Sequence, residues 1–320
     1  MSQARPWTAD DVPDLSGKTV VVTGGNSGLG YETSLQLARR GAHVVLACRD
    51  LDKARTAVRR ITSAHPGASV EMMKLDLADL ASVRVFAESF PATHRELHVL
   101  VNNAGVMAIP YRKTADGFEM QFGTNHLGHF ALTGLLVERL LGTPAARVVN
   151  VSSTAHRMGG MRFEDLHAER GYSRWGAYAQ SKLANLLFTY ELQRRLDAKG
   201  ADVISVACHP GWAETNLQFV GARMDGSSLM EYLARVANFF LAQSAAMGAL
   251  PLLYAATDPD MRGADYIGPD GLGEAWGHPK KVRSSGRSHD RQAAAKLWEV
   301  SAALTGVRFE TLSCWSEQRQ

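Results

Sequence analysis

Thr19-Val-Val-Val-Thr-Gly-Gly-Asn-Ser-Gly-Leu-Gly30 is the stretch whose reading decides the fold. Thr19 to Val22 is a short β-branched run of the kind that forms a buried strand, and Gly28 to Arg40 has helical periodicity. Between them lies a turn of small residues. Such residues let a backbone approach a pyrophosphate closely, and the N-terminus of the following helix stabilises its charge. The glycines fall as G-x-x-x-G-x-G (Gly24, Gly28, Gly30) rather than G-x-G-x-x-G. A glycine-rich turn alone is only a turn. Set between a strand and a helix, it makes Thr23, Gly24, Asn26, Ser27, Gly28, Leu29 and Gly30 candidates for a dinucleotide site.

The same alternation continues outward. Ala42 to Ala47, Ser69 to Lys74, His98 to Val101, Arg147 to Val151 and Asp202 to Ala207 read as further buried strands. Helical segments separate them at Asp50 to Ser63, Leu80 to Phe90, Phe118 to Leu141 and Arg174 to Lys199. This β-α-β rhythm predicts an α/β, single-domain Rossmann fold, a doubly wound parallel sheet with helices on both faces. The expected organisation is an N-terminal extension over 1–14 and a cofactor-binding and catalytic domain over 15–268. A C-terminal extension over 269–320 is expected to pack on the same domain. His209-Pro-Gly211 opens an apolar stretch, about 211–241, that reads as a substrate lid or as irregular core. Trp212, Leu217, Phe219, Val220, Tyr232, Phe239 and Phe240 give it an apolar character. A helix over Ser244 to Thr257, a strand near Ala264 to Ile267, a loop from Gly268 to Ser288 and a helix over Asp290 to Leu304 complete the reading.

Bulk properties narrow the class. The chain has 320 residues, 45% of them hydrophobic and 21% charged, enough for a large buried core. A net charge of +3 without a dense basic block argues against nucleic acid. Cys48, Cys208 and Cys314 lack metal-ligand spacing, as expected of reduced thiols. The first 14 residues are polar and do not form a signal peptide, and no stretch is long and apolar enough to span a membrane. A cytoplasmic globular protein is the expectation.

Two further groups carry chemistry. At the end of the second strand, where an acidic residue would bind a ribose 2′-hydroxyl, the chain has Cys48-Arg49, and Arg49 suits a 2′-phosphate. NADP(H) is therefore favoured over NAD(H), although Arg49 could equally cap a surface loop. Asp76 and Leu77 follow the third strand, where Asp76 could hold an adenine amine or merely cap a helix. Tyr178 and Lys182 stand four apart on a predicted helix and so share a face. A phenol titrates near pH ~10, and bringing it to about 7 takes roughly 4 kcal/mol of differential interaction, which a nearby ammonium could supply.

These motifs together resemble the short-chain dehydrogenase/reductase superfamily over about Leu15 to Ile267. Asn102-Asn-Ala-Gly105 is similar to its N-N-A-G element, which points to Asn103, Ala104 and Gly105 at the cofactor. Asn125 matches its helix asparagine, and Ser153, with Ser152 beside it, the active-site serine. Pro210, Gly211 and Thr215 match its P-G-x-x-x-T element at the nicotinamide. Ala47-Cys-Arg-Asp50, Val149 to Ser153, Ser181 to Asn185 and Leu297 to Ser301 resemble the retinol dehydrogenase-like branch. That branch implies NADP(H) and apolar aldehydes, ketones or alcohols. Ser153 stands 25 positions before Tyr178, about twice the usual interval, so Gly159 to Trp175 reads as an insertion.

The resemblance implies that Tyr178 exchanges the proton with the substrate oxygen and Ser153 hydrogen-bonds that oxygen. Lys182 would lower the Tyr178 pKa and hold the nicotinamide ribose, and Asn125 would position a relay water. None of these roles needs a metal; His126, His129 and His156 lack carboxylate partners, and His209 reads as a packed turn histidine. Two rival functions are a non-catalytic NADP(H)-binding regulator and a specialised reductase resembling protochlorophyllide reductase. The expected partner is a small molecule. A homo-oligomer could form through the helices of Asn125 and Tyr178 unless an insertion or the C-terminal extension blocks that face.

Overall fold

The computed structural model describes residues 5–212 and 243–312. Eight strands form one sheet: β1 Thr19–Thr23, β2 His43–Cys48, β3 Val70–Lys74, β4 Val99–Asn102, β5 Ala146–Val151, β6 Val203–Cys208, β7 Tyr266–Pro269 and β8 Pro279–Lys281. Their order is β3-β2-β1-β4-β5-β6-β7-β8. All neighbouring pairs are parallel except β7 with β8. Continuous Val/Leu/Ile strands bury both faces of the sheet, which is why β1 is apolar at successive rather than alternate positions. Chain order reverses between β1 and β4, and in open α/β sheets ligands bind beyond the carboxyl ends of the strands at that point.

Strand alternation divides the core. Val20, Val22, Val44 and Leu46 face one helical layer, made of α1 Gly28–Arg39, α2 Leu51–Ala64 and a late helix. Val21, Val45, Leu100 and Val148 face the other layer, whose α3 spans Leu80–Thr93.

The predicted helix from Phe118 to Leu141 is broken. It comprises α4 Met120–Phe122, a π-helical turn Gly123–Leu127, α5 Gly128–Leu135 and α6 Val137–Leu141. Buried Glu119 caps the start, accepting from the backbone N–H groups of Gln121 and Phe122 at 2.9 and 2.7 Å. Gly128 lies so close to Leu77 that an added Cβ would sit 2.4 Å from the Leu77 carbonyl oxygen. The long α7, Arg174–Lys199, agrees with the sequence reading and ends on Gly200 in a left-handed conformation (φ 63°), as a glycine cap allows.

The region beyond β7 also departs from the expected loop. Glycine and proline disguise a short hairpin there, with Ile267 opposite Lys281 in the β7–β8 register. After α8 Ala245–Thr257 and the hairpin comes α9 Arg291–Thr305. Helix α9 buries Ala294 and Leu297 against Leu183, Ala184 and Leu187 of α7. Trp298 stacks near Phe188 and meets Phe130 and Phe309. The C-terminal segment thus covers the Leu183, Ala184 and Leu187 face of α7. Among the described residues, no helix is long and apolar enough to cross a membrane.

Trp298→Ala is expected to destabilise the whole fold by about 3–5 kcal/mol, because it empties this aromatic cluster. Chemical unfolding should remain a single transition, shifted to lower denaturant; a separate early transition would show that α9 unfolds independently.

Candidate active site

The glycine turn after β1 is built around close approaches. Gly24 adopts φ +65°, and a Cβ there would lie 3.1 Å from that of Ala104. At Gly30 a Cβ would come within 2.3 Å of the Gly24 carbonyl oxygen, so no larger residue fits. Ser27 is the N-cap of α1, yet its exposed side chain makes no capping hydrogen bond. The hydroxyl, half-buried Asn26 and the first-turn N–H groups of α1, beginning at Gly28, line a cradle suited to a pyrophosphate. Leu29 instead sends its side chain into the core.

Thr23 is fully buried, and its hydroxyl ties two loops together. It accepts from the Asn103 and Ala104 N–H groups at 2.9 Å each and lies 2.9 Å from His129 Nε2. Asn103 Nδ2 donates to the Thr23 carbonyl at 2.8 Å. The side chains of Thr23 and Asn103 are therefore engaged with protein. They fix the cradle rather than reach into it.

At the end of β2, Arg49 is exposed, and Lys74 Nζ donates to its carbonyl at 2.5 Å. Asp50, the nearest carboxylate in sequence, caps α2 through the Asp52 and Lys53 N–H groups at 3.1 Å each and pairs with Lys53. Asp76 Oδ1 accepts from Ala78 N at 3.0 Å; the helix cap is Asp79. Leu77 is a core residue.

The catalytic candidates converge at the carboxyl ends of β4 and β5. Asn125, on the π-helical turn, spends its whole amide on protein: Oδ1 accepts from Val106 N at 2.8 Å, and Nδ2 donates to the Val106 carbonyl and Ser181 Oγ at 2.9 Å each. Its carbonyl faces His129 Nδ1 at 3.0 Å. The side chain clamps the loop after β4 to α7, and an inserted π turn is what aims it there. Gly105 fits only as glycine, since a Cβ would lie 2.9 Å from Asn125 Oδ1 and 3.7 Å from Lys182 Nζ.

The two neighbouring serines separate cleanly. Ser152 is buried and donates to the Lys182 carbonyl at 2.9 Å. Ser153 is half-buried, its Oγ accepts from Ala155 N at 3.2 Å, and it lies near enough to the Tyr178 phenol to favour its ionised form. Burial pushes the Tyr178 phenol up to about 12, and Ser153 opposes that rise. Burial likewise lowers the Lys182 ammonium to about 8. Its Nζ donates to the Val151 carbonyl at 3.0 Å and lies 5.7 Å from the Tyr178 ring centre. The pair shares a helix face as the spacing predicts, but the lowering of the phenol by the ammonium is absent from this geometry. Desolvation outweighs it.

Several supporting contacts escaped the sequence reading, although His156 and His209 were themselves noted and His209 is the packed turn histidine expected. His156 Nδ1 lies 2.6 Å from the Ser153 carbonyl, and its Nε2 accepts from Ser285 N at 3.0 Å, which leaves the ring neutral with the proton on Nδ1. Arg157 reaches Glu274 with both carboxylate oxygens at 2.8–2.9 Å. Buried His209 accepts from Gly211 N at 3.2 Å and faces the same Glu274 at 3.0 Å. The C-terminal segment therefore braces the Ser153 turn and the Pro210-Gly211 loop together. Nothing in local sequence marks such long-range partners, although Ser181 and His129 sit one turn from predicted residues. Gln180 binds the 159–175 insertion to α7, accepting from Arg162 N and donating to the Leu166 carbonyl at 3.0 Å each. His126 and His129 are buried, held neutral, and bonded to different partners, Ser301 for the one and Thr23 for the other. Thr215, Leu217, Phe219, Val220, Tyr232, Phe239, Phe240 and Cys314 lie outside the described residues.

A glycine-rich turn at the switch point thus accompanies half-buried Ser153 and buried Tyr178 and Lys182 at the carboxyl ends of the strands. The family model for short chain dehydrogenase matches residues 18–221, and the chain belongs to that family, in its retinol dehydrogenase-like branch. Human retinol dehydrogenase 12 is 46% identical over 296 residues, which cover 92% of this chain and 89% of that one. The crystal structure of an uncharacterized protein from Mycobacterium paratuberculosis is similar at TM-score 0.78 and 45% identity, covering 95% of this chain and 99% of that chain. An NAD(P) dependent gluconate 5-dehydrogenase from Beutenbergia cavernae, solved with bound NADP, is similar at TM-score 0.58 and 28% identity, covering 77% and 91%. The protein is an oxidoreductase whose site suits a nicotinamide cofactor.

The buried ammonium carries a stability cost with a definite pH signature. Below pH about 8 both folded and unfolded chains hold the Lys182 proton and the cost is constant; between about 8 and 10.5 the unfolded chain holds more protons, so stability rises with pH. Lys182→Met should therefore raise stability at pH 7, by roughly 2 kcal/mol after loss of one hydrogen bond. The Val151 carbonyl keeps Asn185 Nδ2 as a donor at 3.1 Å. Thermal unfolding of both proteins from pH 7 to pH 10 should show the gap narrowing; an equal or lower midpoint for the variant at pH 7 would contradict the buried charge.

Proposed function

We propose that the protein is an NADP(H)-dependent carbonyl reductase or alcohol dehydrogenase acting on apolar aldehydes, ketones or alcohols. The observation that carries this reading is the Tyr178 phenol: buried, held neutral, influenced by Ser153, and with the Lys182 ammonium 5.7 Å from its ring centre. Gly24 and Gly30 keep the turn tightly packed, since a Cβ at either would strike Ala104 or the Gly24 carbonyl oxygen, and so tight a turn suits a pyrophosphate. When bound, the nicotinamide supplies or accepts a hydride.

The remaining steps belong to the chain. Ser153 orients the substrate oxygen and stabilises charge as it develops there. A phenol near 12 holds its proton at neutral pH, so Tyr178 is set as donor in the reducing direction. The Lys182 ammonium sits one turn away, turned to the Val151 carbonyl. A ribose hydroxyl offered in place of that carbonyl would bring the ammonium's charge to bear on the phenol. Pro210 and Gly211 close the nicotinamide end, with Thr215 assigned beside them on sequence grounds.

Preference for NADP(H) is supported by two neighbouring cations, Arg49 just past β2 and Lys74 at the end of β3, and by the capping role that occupies Asp50. Apolar substrate is supported by exposed Met158, Trp175, Trp212, Leu272 and Trp276 on segments bordering the site. Trp175 meets Tyr178 edge-on with ring centres 6.0 Å apart. The similarity to retinol dehydrogenases agrees with a long apolar alcohol or aldehyde. A cytoplasmic location agrees with the free, buried Cys48 and Cys208. Coverage of α7 by α9 favours a chain that does not dimerise through that face.

Turnover of NADPH with a panel of apolar aldehydes and ketones tests the reading. Tyr178→Phe should lower kcat/KM by about 10²–10⁴-fold while NADPH still binds. Binding without turnover by the unaltered protein across a wide panel would favour the regulator instead. Carbonyl reduction should fall as pH rises through about 8, where Lys182 loses its proton. Arg49→Asp should shift the NADPH/NADH ratio of kcat/KM toward NADH by roughly 10- to 100-fold; an unchanged ratio removes Arg49 as the phosphate partner.

A further inference from the structure

The sheet carries a second cluster of chemically active side chains, away from the site above. His43 opens β2, at the amino-terminal edge of the sheet. Glu71 lies on the neighbouring β3 in register with Val45, so its side chain shares a face with that of His43. His94 terminates α3, which packs on that face. The fold thus brings three ligand-type groups from three separate elements to one point.

Their geometry is specific. His43 Nε2 and His94 Nε2 lie 3.1 Å apart, His94 Nε2 and Glu71 Oε1 3.2 Å, and His43 Nε2 and Glu71 Oε1 3.9 Å. A zinc ion about 2.0–2.2 Å from each of three tetrahedral ligands holds those ligands roughly 3.4 Å from one another. The observed separations bracket that value. The outer ring nitrogens are also held. His43 Nδ1 lies 2.7 Å from Ser69 Oγ, and His94 Nδ1 faces Thr93 Oγ1 at 2.8 Å and the Phe90 carbonyl at 3.3 Å. A carbonyl can only accept, so His94 carries a proton on Nδ1. Its Nε2 then faces the Glu71 carboxylate, a gap that either a second proton or a metal ion fills. Ring orientation by outer hydrogen bonds is the usual support of a metal-ligating histidine.

We propose that His43, Glu71 and His94 form a site for a borderline transition-metal ion of the zinc type, with water in the fourth position. The His43 and Glu71 side chains are 31% and 40% exposed, which leaves the site open to solvent, whereas His94 is nearly enclosed at 9%. Two imidazoles and one carboxylate suit zinc over calcium or magnesium, which prefer all-oxygen shells. The ion would clamp the end of α3 to the β2–β3 edge of the sheet. It takes no part in hydride or proton transfer, because the reacting groups lie at the opposite ends of the strands.

The test is zinc binding by the chelator-treated full chain, measured by equilibrium dialysis and by the thermal midpoint, with cobalt(II) absorption as a coordination probe. The expected result is one equivalent bound, a raised midpoint, and a tetrahedral cobalt spectrum. His94→Ala and Glu71→Gln should each weaken zinc binding by at least about 10-fold and abolish the midpoint shift. Glu71→Gln keeps shape and sits at a half-exposed position, so it remains informative should His94→Ala fold poorly. Failure of the unaltered chain to bind zinc, or equal affinity in both variants, would overturn the site.

Discussion

Burying the Lys182 ammonium is the constraint on which the rest of this site depends. A charge nine-tenths hidden needs compensation, and the chain provides the Val151 carbonyl at the end of β5. The residues around that group are closely fitted to one another. Gly105 must lack a side chain, Asn125 must spend its amide on Val106 and Ser181, and the helix carrying Asn125 must widen into a π turn to do so. Lys182 therefore sits in its folded position at a cost to stability.

Around it a polar seam runs behind the sheet edge. Asn102 Nδ2 bridges to Thr133 Oγ1 and Asn150 Oδ1, and Asn150 Nδ2 continues to Thr189 on α7, all within 3.1 Å. Thr23 and Asn103 join the cradle to the same loop. These buried amides are expensive unless paired, and pairing fixes the relative positions of β1, β4, β5 and α7. The C-terminal segment adds the outer brace through Glu274, Ser285 and Trp298. The glycine-rich turn, the Tyr178 helix and the brace are one connected structure.

Much of this was legible in the chain. The β-branched runs located β1 to β6, and the Thr23–Gly30 turn falls at the switch point, because burial on both faces and backbone approach dictate composition locally. The Tyr178–Lys182 face came from helical spacing alone. The π turn at Asn125 was not legible, since it arises from tertiary bonds to Val106 and Ser181 rather than from local propensity. Nor was β8, whose three residues carry too short a pattern amid glycine and proline. The phenol's environment was misjudged for a related reason: spacing reports that a lysine is near, not how much water both groups have lost. The His43–Glu71–His94 cluster is invisible in sequence, because its members are spread over 52 positions on three elements.

The central claim is that desolvation sets the two protonation states before any ligand arrives. Its most direct test is a pH titration of isotope-labelled lysine side chains in the ligand-free protein, followed by NMR and assigned by difference from Lys182→Met. One lysine titrating with a midpoint near 8 is the predicted result. A Lys182 signal that titrates near its ordinary 10.5, with the other lysines, would contradict the account.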